Sequence, residues 1–154
     1  MVFRYVNGEA SYRGGEATLT FDLPYELTLV TAASYLWGED TTLDEPVLGV
    51  TPLRSQTSLR WQPGSDGRFV EAALNVAGDQ NRVSTTRGEQ PTDGYETVDI
   101  QGGFALPGGL FLRAGINNVF DREVINHLSA RDPFTGLALS EPGRVLFTRV
   151  SFRF

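Results

Sequence analysis

Cysteine is absent from this 154-residue chain and histidine occurs once. No apolar run approaches the roughly 18 residues that a membrane-crossing helix needs. The missing cysteine excludes disulfide scaffolds and thiolate metal sites. Stretches with a 3.6-residue hydrophobic period are lacking too, and with 17 Gly and 8 Pro the chain is a poor helix former. Residues Met1 to Asn7 show no basic segment followed by an apolar one, so no export signal is expected within the chain as given. Positive charge is sparse and dispersed: the net charge is −6 and the pI about 4.7. Nucleic acid is therefore not an expected partner, because phosphate binding needs clustered cations.

Alternation of apolar and polar residues is what the chain does have. In Arg144 to Phe154 every second side chain, from Leu146 through Thr148, Val150 and Phe152 to Phe154, is apolar or nearly so, with Arg149, Ser151 and Arg153 between them. A period of two describes a strand with one oily and one wet face. The same pattern recurs upstream. About Tyr5 to Leu23 forms a first strand, with Ala17, Leu19, Phe21 and Leu23 on one face, and Leu27 to Trp37 a second. A third alternates Ser55, Thr57, Leu59 and Trp61 with Arg54, Gln56, Ser58 and Arg60; a fourth carries Val70, Ala72, Leu74 and Val76. Val98, Ile100 and Phe104 mark the fifth, and Leu110, Leu112, Ala114 and Ile116 the sixth, so the terminal strand is the seventh. Residues 122–131 are expected to hold a helical turn or two.

Connections alternate in length. Pro24 to Glu26, Pro63 to Gly67 and Pro107 to Gly109 have turn chemistry, whereas the segments after the second, fourth and sixth strands are long. An up-and-down meander with one short-turn rim and one long-loop rim is the pattern of outer-membrane barrels. Aromatics near strand ends suggest two girdles: Phe21, Trp61, Phe69, Phe104, Phe152 and Phe154 at the short-turn rim, and Tyr35, Trp37, Tyr95 and Phe147 at the other. A mean hydropathy of −0.19 does not oppose this, since alternating faces average out. Seven strands cannot close as an even-stranded barrel, and an open edge in lipid leaves backbone groups unpaired. The chain is thus expected to be a piece of a larger barrel, or else a soluble β-sandwich or lipocalin-like binding module.

Gly115 to Arg122, which contains Asn117-Asn118-Val119-Phe120-Asp121, is followed by Glu141-Pro142-Gly143-Arg144 and the final strand. This order resembles the carboxyl end of TonB-dependent outer-membrane receptors. Asn7 with Gly15-Glu16, Pro52-Leu53 and Glu89 to Tyr95 agree with it. The resemblance implies an all-β antiparallel meander forming the C-terminal part of a transmembrane β-barrel of about 22 strands with a plugged lumen. Residues 1–154 would be one such segment, without signal peptide or plug. It implies energy-coupled uptake of a scarce nutrient (a ferric siderophore, haem, a metal ion or cobalamin), in which this piece alone is not transport-competent. The implied partners are outer-membrane lipid and lipopolysaccharide, the barrel-assembly machinery, the rest of the receptor, TonB through the plug, and a small nutrient ligand. Val150, Phe152 and Phe154 would form the C-terminal assembly signal.

The run Val124 to Ser129 is similar to that of family members linked to metal ions or haem. His127, with Asp121, Glu123 and Asp132 nearby in sequence, is the candidate zinc or copper ligand. The competing reading is a loop histidine that hydrogen-bonds the loop. Arg54, Arg60, Arg113, Arg149 and Arg153 would face the lumen and pair with Glu71, Asp99 or plug carboxylates. Glu39 to Glu45 lacks the spaced ligands of a calcium loop and is expected to be solvated. No cofactor is expected, and no enzyme: there is no Gly-x-Ser-x-Gly elbow, and the glycine pairs lie in strand and turn contexts without a following helix.

Overall fold

The computed structural model describes residues 7–129, 131 and 134–152. The first two strands, β1 (Ala10–Leu23) and β2 (Leu27–Asp40), are 14 residues each; a two-residue β3 (Glu45–Pro46) follows. Then come β4 (Arg54–Trp61), β5 (Phe69–Ala77), β6 (Tyr95–Leu106), β7 (Leu110–Asn117) and β8 (Val145–Phe152). All pairings are antiparallel, in the order β1-β2-β4-β5-β6-β7-β8, with β3 added to the far end of β2. This is the expected seven-strand meander, plus one short strand inside the acidic segment.

Register turns the alternation into two continuous faces, because residues directly opposite one another share a side of the sheet. One row runs Phe21, Leu29, Leu59, Ala72, Ile100, Ile116 and Leu146 across the seven long strands. Leu74, Val70, Leu110, Leu112, Val150 and Phe152 lie on the same face. They are not packed into an interior: Val70 is 51% exposed, Val150 60% and Leu146 75%. In water each such side chain forgoes roughly 1.5–3 kcal/mol of burial. The buried apolar residues are few. Val50, Val83 and Val124 lie in the long loops, Ala77 at a strand end, and Phe69 on the opposite face. No dry sandwich core exists among the described residues, so the soluble-module alternative loses its basis. The polar Thr31 and Thr57 on the apolar face are opposite one another, and their hydroxyls bond each other at 2.9 Å.

Several expectations are corrected. Residues 122–129 contain no helix; a 3-10 turn instead occupies Thr85–Arg87. The β4–β5 connection spans 62–68, because Trp61 pairs with Val70 and only Phe69 extends the strand. Phe69, Tyr95 and Phe147 do not join the outer girdles. They occupy the second face, where Phe69 lies opposite Gly103 and Phe147 opposite Gly115. Those glycines are required by the aromatics: a Cβ on Gly115 would sit 2.7 Å from the Phe147 ring and from Ile100 O.

Candidate functional site

The second face is polar and carries ladders of side chains across the strands. Gln56 donates to Asn75 Oδ1 (2.6 Å), and Asn75 donates to Asp99 Oδ2 (2.9 Å). Nearer the short turns, Arg60 pairs with Glu71 (3.5 Å), Gln101 donates to Glu71 (2.5 Å), and Arg113 donates to Gln101 Oε1. Of the expected arginine partners, Glu71 is therefore found. Asp99 instead accepts from Asn75 and from the backbone of Asn118 (2.8 Å). Arg54 donates to Asn126 at 2.6 Å, and its buried Nε has no partner. Arg153 lies outside the described residues. The sheet curves around a concavity of about 610 Å³ lined by Arg54, Gln56, Asn75, Tyr95, Asp99 and Glu141 among others.

Above this concavity the long loops form one bonded layer. Two acidic residues expected to be solvated are buried there, Asp40 and Glu45. Glu45 accepts from Ser84 Oγ (2.7 Å) and from both the hydroxyl and the backbone N–H of Thr86. The Thr86 hydroxyl, then that of Ser84, hold the Glu45 carboxyl below its ordinary range despite the opposing effect of burial. Asp40, at the end of β2 beyond its pairing with β4, accepts from Arg87 at 2.5 Å, which likewise lowers its pKa. Glu39 pairs with Arg82 (2.6 Å), whose guanidinium lies over Trp37. A signal for this was present in the sequence: the polar segment after β5 carries Arg82 and Arg87, complementary to the acidic segment after β2.

Glu89 joins the layer together. Its Oε1 accepts from Gly49 N–H (2.7 Å) and lies 3.0 Å from His127 Nε2, while its Oε2 accepts from Ser84 N–H (2.7 Å). The other ring nitrogen of His127, Nδ1, lies 2.9 Å from Thr92 Oγ1, and the side chain is 2% exposed. Both nitrogens are thus engaged. Neither Asp121 nor Glu123 is brought to the ring: Asp121 accepts from Arg144 N–H (2.7 Å) and Glu123 from Ser140 (3.3 Å). Asp132 lies outside the described residues, and among those described no group of three His, Cys, Asp or Glu side chains could hold a metal.

The two halves of the Asn117–Asp121 and Pro142–Arg144 pattern meet in space. Asn118 adopts a left-handed backbone (φ 51°), is buried, and exchanges two hydrogen bonds with the Arg122 backbone (2.7 and 2.9 Å). Val119 N–H donates to Val98 O, which ties the exit of β7 to β6. Asp121 (φ 55°) turns the chain so that its carboxylate receives Arg144, and a side chain at Gly143 would collide with that carboxylate. Phe120 is exposed. Val150 and Phe152 lie on the apolar face opposite Leu112 and Leu110; Phe154 is outside the described residues.

A family profile described as TonB dependent receptor-like, beta-barrel matches residues 1–119. Among solved structures, the copper transporter OprC superposes with a TM-score of 0.89 at 23% identity, covering 96% of this chain and 24% of that one. The ferric enterobactin receptor PfeA of Pseudomonas aeruginosa, in two mutant forms, superposes with TM-scores of 0.71 and 0.69 at 23% and 22% identity. These cover 94% and 92% of this chain and 22% of each receptor. The chain thus spans about a quarter of the length of the structures it resembles. No curated protein sequence matches it.

Proposed function

The chain belongs to the family of TonB-dependent receptor-like β-barrels, which are transporters of the bacterial outer membrane, and from that membership we propose that residues 1–154 are the C-terminal barrel segment of a nutrient receptor. The observation that carries this reading is the unbroken apolar row from Phe21 to Leu146 across all seven long strands, backed by a polar inner face. Such segregation matches a wall between lipid and a plugged lumen. The nutrient is a metal ion or a ferric siderophore, the two cargoes named for the structural neighbours, with haem and cobalamin as further members of the same class. Uptake would be driven by TonB acting on a plug outside these residues, so this segment alone does not transport. Val150, Phe152 and Phe154 serve the barrel-assembly machinery as the terminal signal, and lipid and lipopolysaccharide contact the apolar face. We read Asn117 to Asp121 with Pro142 to Arg144 as a structural corner, and His127 as a brace for the loops rather than a metal ligand.

Residues 1–154 hold no cysteine, so a thiol introduced here has no native competitor within this segment. Cysteines replacing Leu59 or Leu74 in the full-length gene product should react with a bilayer-confined maleimide, and one replacing Gln56 should not. Equal reaction at all three positions would defeat the barrel reading. Growth of a deletion strain on single metal and siderophore sources would then identify the cargo.

A further inference from the structure

Near the short-turn rim the apolar wall is notched. Gly102 of β6 lies directly opposite Val70 of β5 on one side and Ala114 of β7 on the other, between the Ile100–Ile116 row and the Phe104–Leu112 row. The result is an open hollow of about 380 Å³, lined on this face by Trp61, Val70, Gly102, Phe104, Leu112 and Ala114. Trp61 and Phe104 stand half exposed on its flanks. A Cβ at Gly102 would come within 3.1 Å of Phe69 O, so that position stays bare and the hollow is a fixed feature of the strand pairing. On its short-turn side it has one charged lining residue among those described, Arg68. The Asp66 carboxylate lies 3.3 Å from Arg68 Nε, and both side chains are more than half exposed.

We propose that this hollow holds one acyl chain of a zwitterionic glycerophospholipid, whose phosphate sits on Arg68 and whose ammonium sits on Asp66. The inference rests on the barrel reading, which turns this face to lipid and the short turns to the periplasmic side. It goes further than contact with bulk lipid, because it fixes a single molecule at one place on the wall. A chain already in hydrocarbon gains no hydrophobic drive from the protein, so van der Waals contact decides where it rests. A notch floored by Gly102 and Ala114 and flanked by Trp61 and Phe104 offers that contact on several sides at once. The headgroup supplies selectivity. Arg68 and Asp66 form an exposed ion pair, an interaction of little intrinsic worth. Opened to a phosphoethanolamine, the guanidinium takes the phosphate and the carboxylate takes the ammonium. An anionic headgroup would instead leave Asp66 facing negative charge. Trp61 adds to the match, since indole rings favour the headgroup level.

The full-length receptor in proteoliposomes can be photolabelled with a phosphatidylethanolamine whose acyl chain carries a diazirine, and the adducts mapped by peptide mass spectrometry. Labelling should concentrate on residues 61–70, 102–104 and 112–114 over the outward Leu19 and Leu74. Ala114→Phe fills the hollow from an outward apolar position and should abolish the concentration, while Leu19 and Leu74 keep their labelling. Asp66→Asn, in an exposed turn, should shift the preference from this probe towards a phosphatidylglycerol of the same chains. Even labelling along the wall, or a concentration that survives Ala114→Phe, would overturn the proposal. Equal occupancy by a diazirine fatty acid lacking phosphate would mark a crevice for chains alone and overturn it too. A receptor dimer crosslinked through Ala114→Cys would give the hollow to a second copy, with the same consequence. In all these cases maleimide labelling at Leu59 and Leu74 still succeeds; where it fails, the barrel reading falls and this inference with it.

Discussion

Glu89 carries more structural responsibility than any other side chain in the loop layer, since one carboxylate receives Gly49, Ser84 and His127 from three long connections. Gly49 is exposed, but Ser84 and the His127 ring are buried, and removing an acceptor from a buried donor costs about 1–3 kcal/mol. Glu89→Ala is therefore expected to loosen all three loops while the strands stay paired, seen as faster amide exchange around Gly49, Ser84 and His127 with unchanged exchange in β5 and β6. Exchange confined to the β5–β6 loop would show that Glu89 does not join them. Acid should act on the same layer through Glu45. Its folded pKa is lowered below the ordinary 4.5, so its stabilising effect is complete above that pH and is lost as the pH falls through the lower folded value. Asp40 has the same sign. The protection factors of Ser84 and Thr86, with intrinsic exchange divided out, should thus be flat from neutral pH down to about 4.5 and fall below it; Glu45→Gln should lower the neutral value and flatten part of the acid fall. Most of these contacts were hard to read from sequence because they join residues some forty positions apart, Ser84 to Glu89 excepted, and only the opposite charges of the two loop segments hinted at them.

Elements were legible wherever a strand alternates and obscure where it does not. Leu110 to Ile116 and Leu146 to Phe152 announce their faces, and register follows from the turns. Gly38, Glu39 and Asp40 extend β2 past the last alternating residue, so its overhang and its pairing with Glu45–Pro46 have no periodic signature. The three inward aromatics were readable in principle: Phe69 precedes outward Val70 and Phe147 follows outward Leu146, so parity alone puts them inside. Proximity to strand ends was the weaker guide. The β1–β2 turn has its own strain. Tyr25 (φ 63°) and Glu26 (φ 62°) are both left-handed, the conformation a tight hairpin demands and one that favours Gly or Asn. Glu26 has compensation, since its carboxylate accepts from Gly64 and its carbonyl from Gln62. Tyr25 is 87% exposed. Tyr25→Asn should accordingly stabilise the hairpin by about 0.5–1 kcal/mol, raising the unfolding midpoint of the full-length receptor in detergent, whereas Glu26→Asn should gain less or lose. Equal gains at both positions would mean that the Gly64 contact contributes nothing.

At the scale of the whole molecule the sheet has two open edges among the described residues, since β1 and β8 each pair there on one side only. In lipid every unpaired backbone group costs several kcal/mol, and in water the free edges and the apolar face invite association. Residues 1–154 produced alone should aggregate in detergent-free buffer, and a monodisperse, protease-resistant monomer there would contradict the barrel reading. Within the complete receptor, the two faces make opposite demands on adjacent residues of one strand. Leu74 is centred on the apolar face, opposite Thr57 and Val98, while its neighbour Asn75 points into the polar ladder beside Asp99. An arginine at position 74 must place its charge in hydrocarbon, which costs about 2–4 kcal/mol near the bilayer midplane. At position 75 the same group meets the Asp99 carboxylate, and the loss is limited to the amide contacts it replaces. Leu74→Arg should therefore deplete the heat-modifiable folded form in outer membranes while Asn75→Arg leaves most of it, although the two variants differ by one residue in position and not at all in added charge. Equal depletion would mean that position 74 does not face lipid; the reverse order would invert the sheet.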